Sequence, residues 1–532
     1  LPAAALLLAA ACSPSQPAAE SDFTRFVDPK IGTGGHGHVF VGANVPFGMV
    51  QVGPTSIPQE WDWVSGYHRS DSTVIGFSHT HLSGTGTGDL FDPSSGLWSY
   101  ADRTREIVRP GYYSVPLTRY GVTAEMTATP RVGLHRYTFP ASDAAAVVFD
   151  LENGGCWDKA TDTGFCFSDD STRISGWRYS TGWAKDQRVY FAAEFSKPFA
   201  KFETVGDEYA RASFSTTDGE QLLVKVALSP VSVEGAEANL AAELPGWDFE
   251  ATAAAADKAW NDELSKVKIE TEDETARRLF CTALYHTMVA PSVFCDVNGD
   301  YRGSDYEIHR APPGFTNYTT FSLWDTYRAA MPLMTILHPE RMPDIVRTML
   351  AMADEQGRLP VWHLWGNETD CMVGNPGIPV VADAIVKGIE GFDREKDFEE
   401  IKKKAMNPDR GNGLRMKYGY IPCDLFNEAV AYDMEYALAD GAAARAAEAL
   451  GRTEEANYFT ERSHSYRNCF DPATRFMRGR DSKGGWRTPF NPFASTHRAD
   501  DYCEGNAWQY TWLVPHDVEG LVGCFGGREE ML

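Results

Sequence analysis

Near residue 250 the chain changes its period, and that switch limits its folds more than any other feature. Before it, stretches such as GYYSVPLTRYGVTAEMTATPRVGLHRYTFP, AAVVFDLE, RVYFAAEFS and GEQLLVKVALS are short, partly alternating and broken by Pro and Gly. Successive side chains on a strand point to opposite faces, so the pattern predicts many short strands with no helices between them, a β-sandwich. From AAADKAWNDELSKVKIE onward, apolar residues recur at helical spacing. In PDIVRTMLAMADEQG, Ile345, Met349 and Met352 share a face, with Pro343 at the start and Gly357 at the stop. ETARRLFCTALYHTMV spaces Leu279, Ala283 and Tyr285–His286 in the same way. Val381, Ile385 and Ile389 are four apart, and so are Val430, Met434 and Leu438. Helices that recur every few tens of residues predict a toroid or bundle of paired helices. A chain of 532 residues exceeds one typical core. The expected division is a leader and tether over 1–22, a β-sandwich over 23–248, a linker helix region over 249–272 and a helical domain over 273–532.

The opening run LPAAALLLAAAC is too short to span a bilayer and too uniformly apolar to begin a soluble domain. Small residues before Cys12 match a bacterial lipoprotein processing site, so Cys12 is expected to carry lipid, with SPSQPAAESD as a tether. A plain secretory leader with an incidental Cys is the alternative. Both predict export, and lipidation places the protein at the bacterial outer membrane, on its periplasmic or outer side. Lys and Arg number 49 against 74 Asp and Glu, a net charge of −25 without any basic block. Such a surface repels phosphate backbones and excludes a nucleic-acid partner. The cysteines after Cys12 form no CxxC and no zinc spacing; Cys156 and Cys166 are placed to pair across a loop, and most others read as small buried fillers.

The loops between the predicted helices are unusually aromatic: FSLWDTYR, LPVWHLWGNETD, GGWRTPFNPF and DYCEGNAWQYTW. Aromatic faces beside carboxylates and amides suit a neutral ligand with many hydroxyls. Glycoside hydrolysis asks for two carboxyl groups, one of them protonated near neutral pH. Glu504 fits the acid role if Tyr502, Trp508 and Trp512 desolvate it. Propensity puts it in the first turn of a helix starting after Asp500 or Asp501, where the dipole favours the ionised form and opposes that role. A structural carboxylate is the alternative. Asp325 follows Trp324, with Arg328 three residues on; on a helix the pair shares a face and grips ligand oxygens or each other. Glu368 and Asp370 beside Trp365 make a weaker case. His516 and Asp517 are adjacent, point to different faces and read as structural. The glycine-rich run IGTGGHGHVFVGANVPFGMVQVGP carries neither dinucleotide nor phosphate-loop spacing. His79 and His81, two apart on a strand, form either a metal site with Asp89 or a hydrogen-bonded turn network.

Together these pieces resemble glycoside hydrolase family 92, calcium-dependent exo-acting α-mannosidases of bacteria. The matching segments include IGTGGHGHVFVGANVPFGMV, SGYHRSDSTVIGFSHTHLSGTG, TTFSLWDTYRAAMPLMTILHPE, LPVWHLWGNETDCMVGNPGIPVVADAI, GYIPCD, HSYRNCFDPATRFMRGRD and YCEGNAWQYTWLVPHDVEGL, spread over residues 26–532. The resemblance implies an N-terminal β-sandwich packed on an (α/α)6 toroid, with the active site between them and inversion of configuration. It makes Glu504 the general acid and Asp325 a contact to the terminal mannose, beside Trp324. Trp61 or Trp63 becomes a sugar platform, Arg328 and Glu368 supporting groups, and His79 and His81 architecture rather than metal ligands. It also implies Ca2+, bound mainly through motifs that the family carries beyond the position of Leu532, where its general base also lies. On that reckoning the toroid is incomplete here, and the chain by itself is expected to be inactive and poorly stable. A non-catalytic mannoside-binding lipoprotein and another exo-glycosidase on the same plan are the competing expectations. Linkage preference and oligomeric state stay open.

Overall fold

The structure is a computed structural model and describes residues 22–56, 61–79, 98–153 and 158–532. The expectations for Cys12, His81, Asp89 and Cys156 fall outside the described residues.

The first half is strand-rich, as the alternating segments predict. Its main strands are β1 (Ile107–Arg109), β2 (Tyr112–Leu117), β3 (Val122–Ala128), β4 (Val132–Phe139), β5 (Ser142–Asp150), β6 (Lys159–Phe167), β7 (Arg173–Thr181), β8 (Gln187–Phe195), β9 (Lys201–Val205), β10 (Tyr209–Thr216) and β11 (Glu220–Ser229). An eight-stranded sheet has the order β6-β7-β8-β11-β4-β3-β2-β1, and a three-stranded sheet the order β9-β10-β5. Both are antiparallel throughout. Alternation along β11 sorts its side chains. Leu222, Val224, Val226 and Leu228 belong to the main apolar core, and the Phe149 ring of β5 stacks on Phe191 of β8 at 5.6 Å across the two sheets. On the other face, Ala227, Val132 and Leu134 pack against Leu240, Leu244, Phe249 and Ala253, which belong to or adjoin helices α1 (Val233–Glu243) and α2 (Phe249–Leu264). The large sheet is thus covered on both faces. Ser232 and Asp248 cap these helices by accepting from Gly235 N and Ala251 N, each cap contributing about 1 kcal/mol.

Helices then dominate: α3 (Glu274–His286), α4 (Met342–Gln356), α5 (Gly377–Val386), α6 (Arg394–Met406), α7 (Ala429–Ala449) and α8 (Thr453–Ser463). In α4 the face with Ile345, Met349 and Met352 is buried, and Gly357 ends the helix at φ 81°. Leu279 does not join a core: it is 51% exposed, because α3 buries the side bearing Cys281, Leu284 and Tyr285 instead. Ile389 lies past the end of α5. The longest helix, α7, packs against α5, α6 and α8. Its alanines at 437, 439, 443, 444, 446 and 447 are all buried, and so small a surface lets neighbouring helices approach closely. No helix among the described residues is long and apolar enough to cross a membrane.

Candidate active site

The tip between β7 and β8 reaches from the sandwich into the helical half. Asp186 N donates to Asn367 Oδ1 (3.0 Å), Asn367 Nδ2 returns a bond to Asp186 O (2.9 Å), and Arg302 grips the Asp186 carboxylate (2.7 Å) and carbonyl (2.8 Å). Trp183, on the same tip, stacks on Trp362 with centroids 5.0 Å apart, and Trp61 lies 5.8 Å beyond it. The strand Trp362–Leu364 pairs with Phe321–Ser322, with Ser322 opposite Trp362. The next residues are Leu323, Trp324 and Asp325, so the sandwich aromatics and the LWDTYR segment meet at one junction.

Asp325 is exposed and accepts the Ser322 hydroxyl. Arg328 does not pair with it. The helix here is only Leu323–Thr326, so it ends before i,i+3 geometry can bring the two side chains together. Arg328 bonds Glu435 of α7 instead (2.6 Å), and Glu435 also accepts Trp324 Nε1 (2.9 Å) and the Tyr327 hydroxyl (2.8 Å). Burial pushes the Glu435 carboxyl up, against the pull of the Arg328 guanidinium and these donors. One buried carboxylate therefore fixes three side chains of the segment that carries Asp325.

Glu504 departs from both local expectations. The helix begins at Ala507, with Asn506 as its N-cap and a capping box closed by Gln509. Glu504 precedes it, at φ 45°, and its side chain is exposed rather than desolvated. Trp508 and Trp512 are 45% and 47% exposed and turn to other rings, Trp508 to Phe476 (4.9 Å) and Trp512 to Phe525 (5.7 Å). Around this free side chain the backbone is tightly held. The first N–H groups of a helix have no partner within it; here Ala431 N and the preceding Glu428 N donate to the carbonyls of Asp501 (3.0 Å) and Asp500 (2.8 Å). Asp501 is buried in a bidentate bond with Arg487 (2.6 and 2.8 Å), and the Tyr510 hydroxyl holds the Cys503 carbonyl (2.7 Å). The half-buried Glu428 carboxyl, pushed up by burial, lies against the Cys503 thiol. Trp365, Asp370, Glu428, Arg498 and Glu504 are all non-glycine residues with φ between 45° and 56°. Left-handed backbone costs roughly 1–2 kcal/mol per residue, and such strain gathers where a structure over-determines a site.

Glu428 and Glu435 are seven residues apart, roughly 10 Å along the helix axis. α7 is therefore the common reference for both acidic segments: its N-terminus holds the Glu504 loop and its second turn holds the Asp325 segment. Trp324, Cys503 and Tyr510 also share one apolar cluster with Val430 and Met434 of α7.

The other candidates are more committed. Trp63 donates to Asp71 (2.5 Å) and stacks on His68 (4.3 Å), whereas Trp61 stays 46% exposed. The glycine-rich run has a mechanical use: His36 and His38 clamp Asp62 between the two tryptophans (2.7 and 3.0 Å), which lowers the Asp62 pKa chiefly through the His36 bond. Glu368 spends both oxygens on the backbone N–H groups of Val361, Trp362 and Asp370 (2.7, 2.9 and 2.9 Å), shaping its own loop. His79 is bonded to His135 inside the sandwich (2.8 Å), and burial pushes its pKa down to about 4. His516 bonds the Ser463 carbonyl, and Asp517 caps Val518–Phe525.

Among the described residues, Glu263, His338 and Glu340 bring ligand atoms within 4.8 Å of one another. Lys266 already bridges the two carboxylates (2.7 and 2.9 Å), with Arg341 on Glu263 as well. An ammonium in that position and an imidazole among the donors do not fit calcium, which seeks six to eight oxygens.

Glu428, Glu435 and Trp183 escape a reading of the sequence alone. The faint signals were the two glutamates seven apart in NEAVAYDMEY and a lone tryptophan between two strands in STGWAKDQ.

Residues 26–229 match the glycosyl hydrolase family 92 N-terminal domain and residues 235–532 the glycosyl hydrolase family 92 catalytic domain. A family GH92 α-mannosidase from Bacteroides thetaiotaomicron, solved in complex with mannoimidazole, shares the fold with a TM-score of 0.90 and 37% identity, over 96% of this chain and 73% of that one. A GH92 inverting mannosidase from B. thetaiotaomicron VPI-5482 gives 0.86 and 28%, over 96% and 73%. An uncharacterized secreted glycosidase from Arthroderma benhamiae is 25% identical, covering 96% of this chain and 73% of its own length.

Proposed function

The chain belongs to glycosyl hydrolase family 92, and from that premise we propose that it serves an exo-acting α-mannosidase that releases terminal mannose from glycans with inversion of configuration. Glu504 is the general acid on the strength of the family resemblance and not of burial, since Tyr502, Trp508 and Trp512 leave its side chain exposed. Its exposed carboxyl projects from a loop whose backbone is bonded on both sides, so it can meet a glycosidic oxygen without a search through conformations. Asp325 and Trp324 hold the terminal mannose, by hydroxyl bonds and by a ring face. Arg328 and Glu368 act indirectly, through Glu435 and through the shape of the 361–370 loop. Trp61, the more open of the two candidate platforms, lines the pocket from the sandwich side. Inversion needs a second carboxylate roughly 6.5–9.5 Å from the acid to activate water on the opposite face; none of the described residues is assigned that role.

The family resemblance extends to calcium. The Glu263–His338–Glu340 cluster does not supply its site, and no step is derived through the ion. Export with a lipid on Cys12 completes the proposal, supported by the apolar leader and by the secreted relative.

The observation that carries this reading is the attachment of the Glu504 and Asp325 segments to one rigid helix. The test, made on a protein in which this chain is joined to the later family motifs expected to hold the general base, is release of free mannose from α-mannosides, with the product anomer followed by NMR. β-Mannose is expected first, and Glu504→Gln should abolish release from substrates with poor leaving groups. Release that is unaffected by Glu504→Gln would remove Glu504 from the acid role; α-mannose as the first product would remove inversion. A non-catalytic mannoside-binding protein would bind the same sugars and release nothing.

A further inference from the structure

We propose that Tyr510 is a positioning residue for the general acid: its hydroxyl and its ring hold the two residues that flank Glu504, so that proton donation to the departing oxygen depends on this buried side chain. The proposal rests on the mannosidase reading above, in which Glu504 is the acid.

Three observations carry it. The first is where the other restraints end. The bonds from the start of α7 reach the carbonyls of Asp500 and Asp501, and Tyr502 is tied down by its own hydroxyl on the Met477 carbonyl (2.7 Å). On the far side, the capping box begins at Asn506. Cys503, Glu504 and Gly505 lie between these points. Glu504 there adopts φ 45°, a left-handed conformation unfavourable for a residue with a Cβ. Such a conformation persists only where its surroundings over-determine it.

The second is contact on both sides of the acid. The Tyr510 hydroxyl donates to the Cys503 carbonyl (2.7 Å), which belongs to the same peptide unit as the Glu504 N–H. The ring passes close to Gly505: a Cβ at that position would stand 3.1 Å from Tyr510 Cε2. The same Cβ would lie 2.9 Å from Gln509 Oε1, the atom that accepts from Asn506 N (2.7 Å). One side chain thus fixes the peptide before Glu504 and packs against the residue after it. Tyr510 is itself immobile. It is buried, its ring lies 5.7 Å from that of Tyr502, and it shares an apolar cluster with Val430 and Met434 of α7. Burial above all pushes its pKa beyond the usual tyrosine range, so the phenol keeps its proton and remains a donor at neutral pH.

The third is the link to the mannose-holding segment. The Tyr510 phenol lies in the field of Glu435, which pushes its pKa up, and of Arg328, which pulls it down. Those two groups are bonded to each other, and Glu435 also holds Trp324 and Tyr327 on either side of Asp325 and Thr326. Tyr510 therefore stands between the anchor of the Asp325 segment and the peptide that aims Glu504.

A misplaced acid harms only those bonds whose leaving group needs a proton, and that selectivity is the test. The experiment uses the protein in which this chain is joined to the later family motifs. It compares methyl α-mannoside, whose oxygen must be protonated as it departs, with a dinitrophenyl α-mannoside, whose phenolate departs unassisted. Tyr510→Phe keeps the ring and removes the hydroxyl. It is expected to lower kcat on the methyl mannoside about tenfold, with KM within about twofold, and to leave turnover of the dinitrophenyl mannoside within about twofold. Gly505→Ala, which pushes the ring or Gln509 aside, should show the same selectivity. A merely structural loss lowers the folded fraction, and turnover of both substrates falls alike. Equal losses on the two substrates in Tyr510→Phe, or no loss on either, would overturn the positioning role. Gly505→Ala without selectivity would overturn the part played by the ring. Glu504→Gln is the control: if it does not discriminate between the two substrates, Glu504 is not the acid, and this inference falls with that reading.

Discussion

Trp61 and Trp183 come from turns of the sandwich, whereas Asp325 and Glu504 come from segments fastened to a helix of the other domain. The sandwich contributes ring faces, and its polar side chains at the junction serve as clamps: Asp62 under His36 and His38, and Asp186 under Arg302. The helical domain contributes the carboxylates, and it separates the exposed ones from the buried ones. Asp325 and Glu504 face solvent, while Glu435 and Asp501 behind them are buried and fully bonded. The difference teaches how a site can be both reactive and stable. The two carboxylates proposed to meet the sugar are exposed, and the carboxylates that fasten their segments, Glu435 and Asp501, are buried.

Four measurements break or sharpen that division. The largest effect is expected from Glu504→Gln, with turnover of unactivated mannosides falling roughly 10²–10⁴-fold, as for loss of a general acid. Its thermal midpoint should match that of the unaltered protein, since the side chain is exposed; a large drop in stability would show that Glu504 belongs to the frame. Glu435→Ala should do the reverse. Leaving Arg328, Trp324 and Tyr327 without their acceptor costs about 1–3 kcal/mol, read by denaturant unfolding, and mannoside KM should rise as the Asp325 segment loosens. Unchanged stability would refute the anchoring role of Glu435.

The third measurement sets the two domains against each other by pH. In the sandwich, burial holds the His79 pKa down to about 4, while the unfolded chain takes up the proton below about 6.5. Stability should therefore fall as pH drops from about 6.5 toward about 4. In the helical domain, burial and the neighbouring Asp393 push Asp397 up to about 7, while the unfolded carboxyl ionises above about 3.9. Its contribution is lost as pH rises from about 4 through about 7. Urea titrations across that range should show the acid-side loss reduced in His79→Gln and the other reduced in Asp397→Asn; effects of the opposite sign would contradict the burial of either group. The smallest effect is expected from Trp61→Ala, a loss of about 1 kcal/mol in mannoside binding with a smaller loss of stability than Trp63→Ala. Trp63→Ala should cost stability instead, because that ring is stacked on His68 and bonded to Asp71.

The amino-acid order by itself determined the two-part plan. Period-two segments can bury one face only as strands, and the period of 3.6 in α4 and α7 can do so only as helices. The motif-length resemblance likewise marked Glu504, Asp325 and the tryptophan pair. Tertiary structure alone decided what each of these side chains does. The spacing of Asp325 and Arg328 suggested partners, but the local helix stops two residues short of the arginine and a carboxylate more than a hundred residues away takes it. Propensity began a helix before Glu504, yet the Asn506–Gln509 capping box and the Asp500 and Asp501 carbonyls docked at the start of α7 begin it later and leave the glutamate on a bent, fixed loop. Glu435 and Trp183 gave almost no local signal, because their importance lies in what stands opposite them. Periodicity is a property of neighbours along the chain, whereas the partner of a buried charge or a stacked ring is set by which distant segments the fold brings into contact.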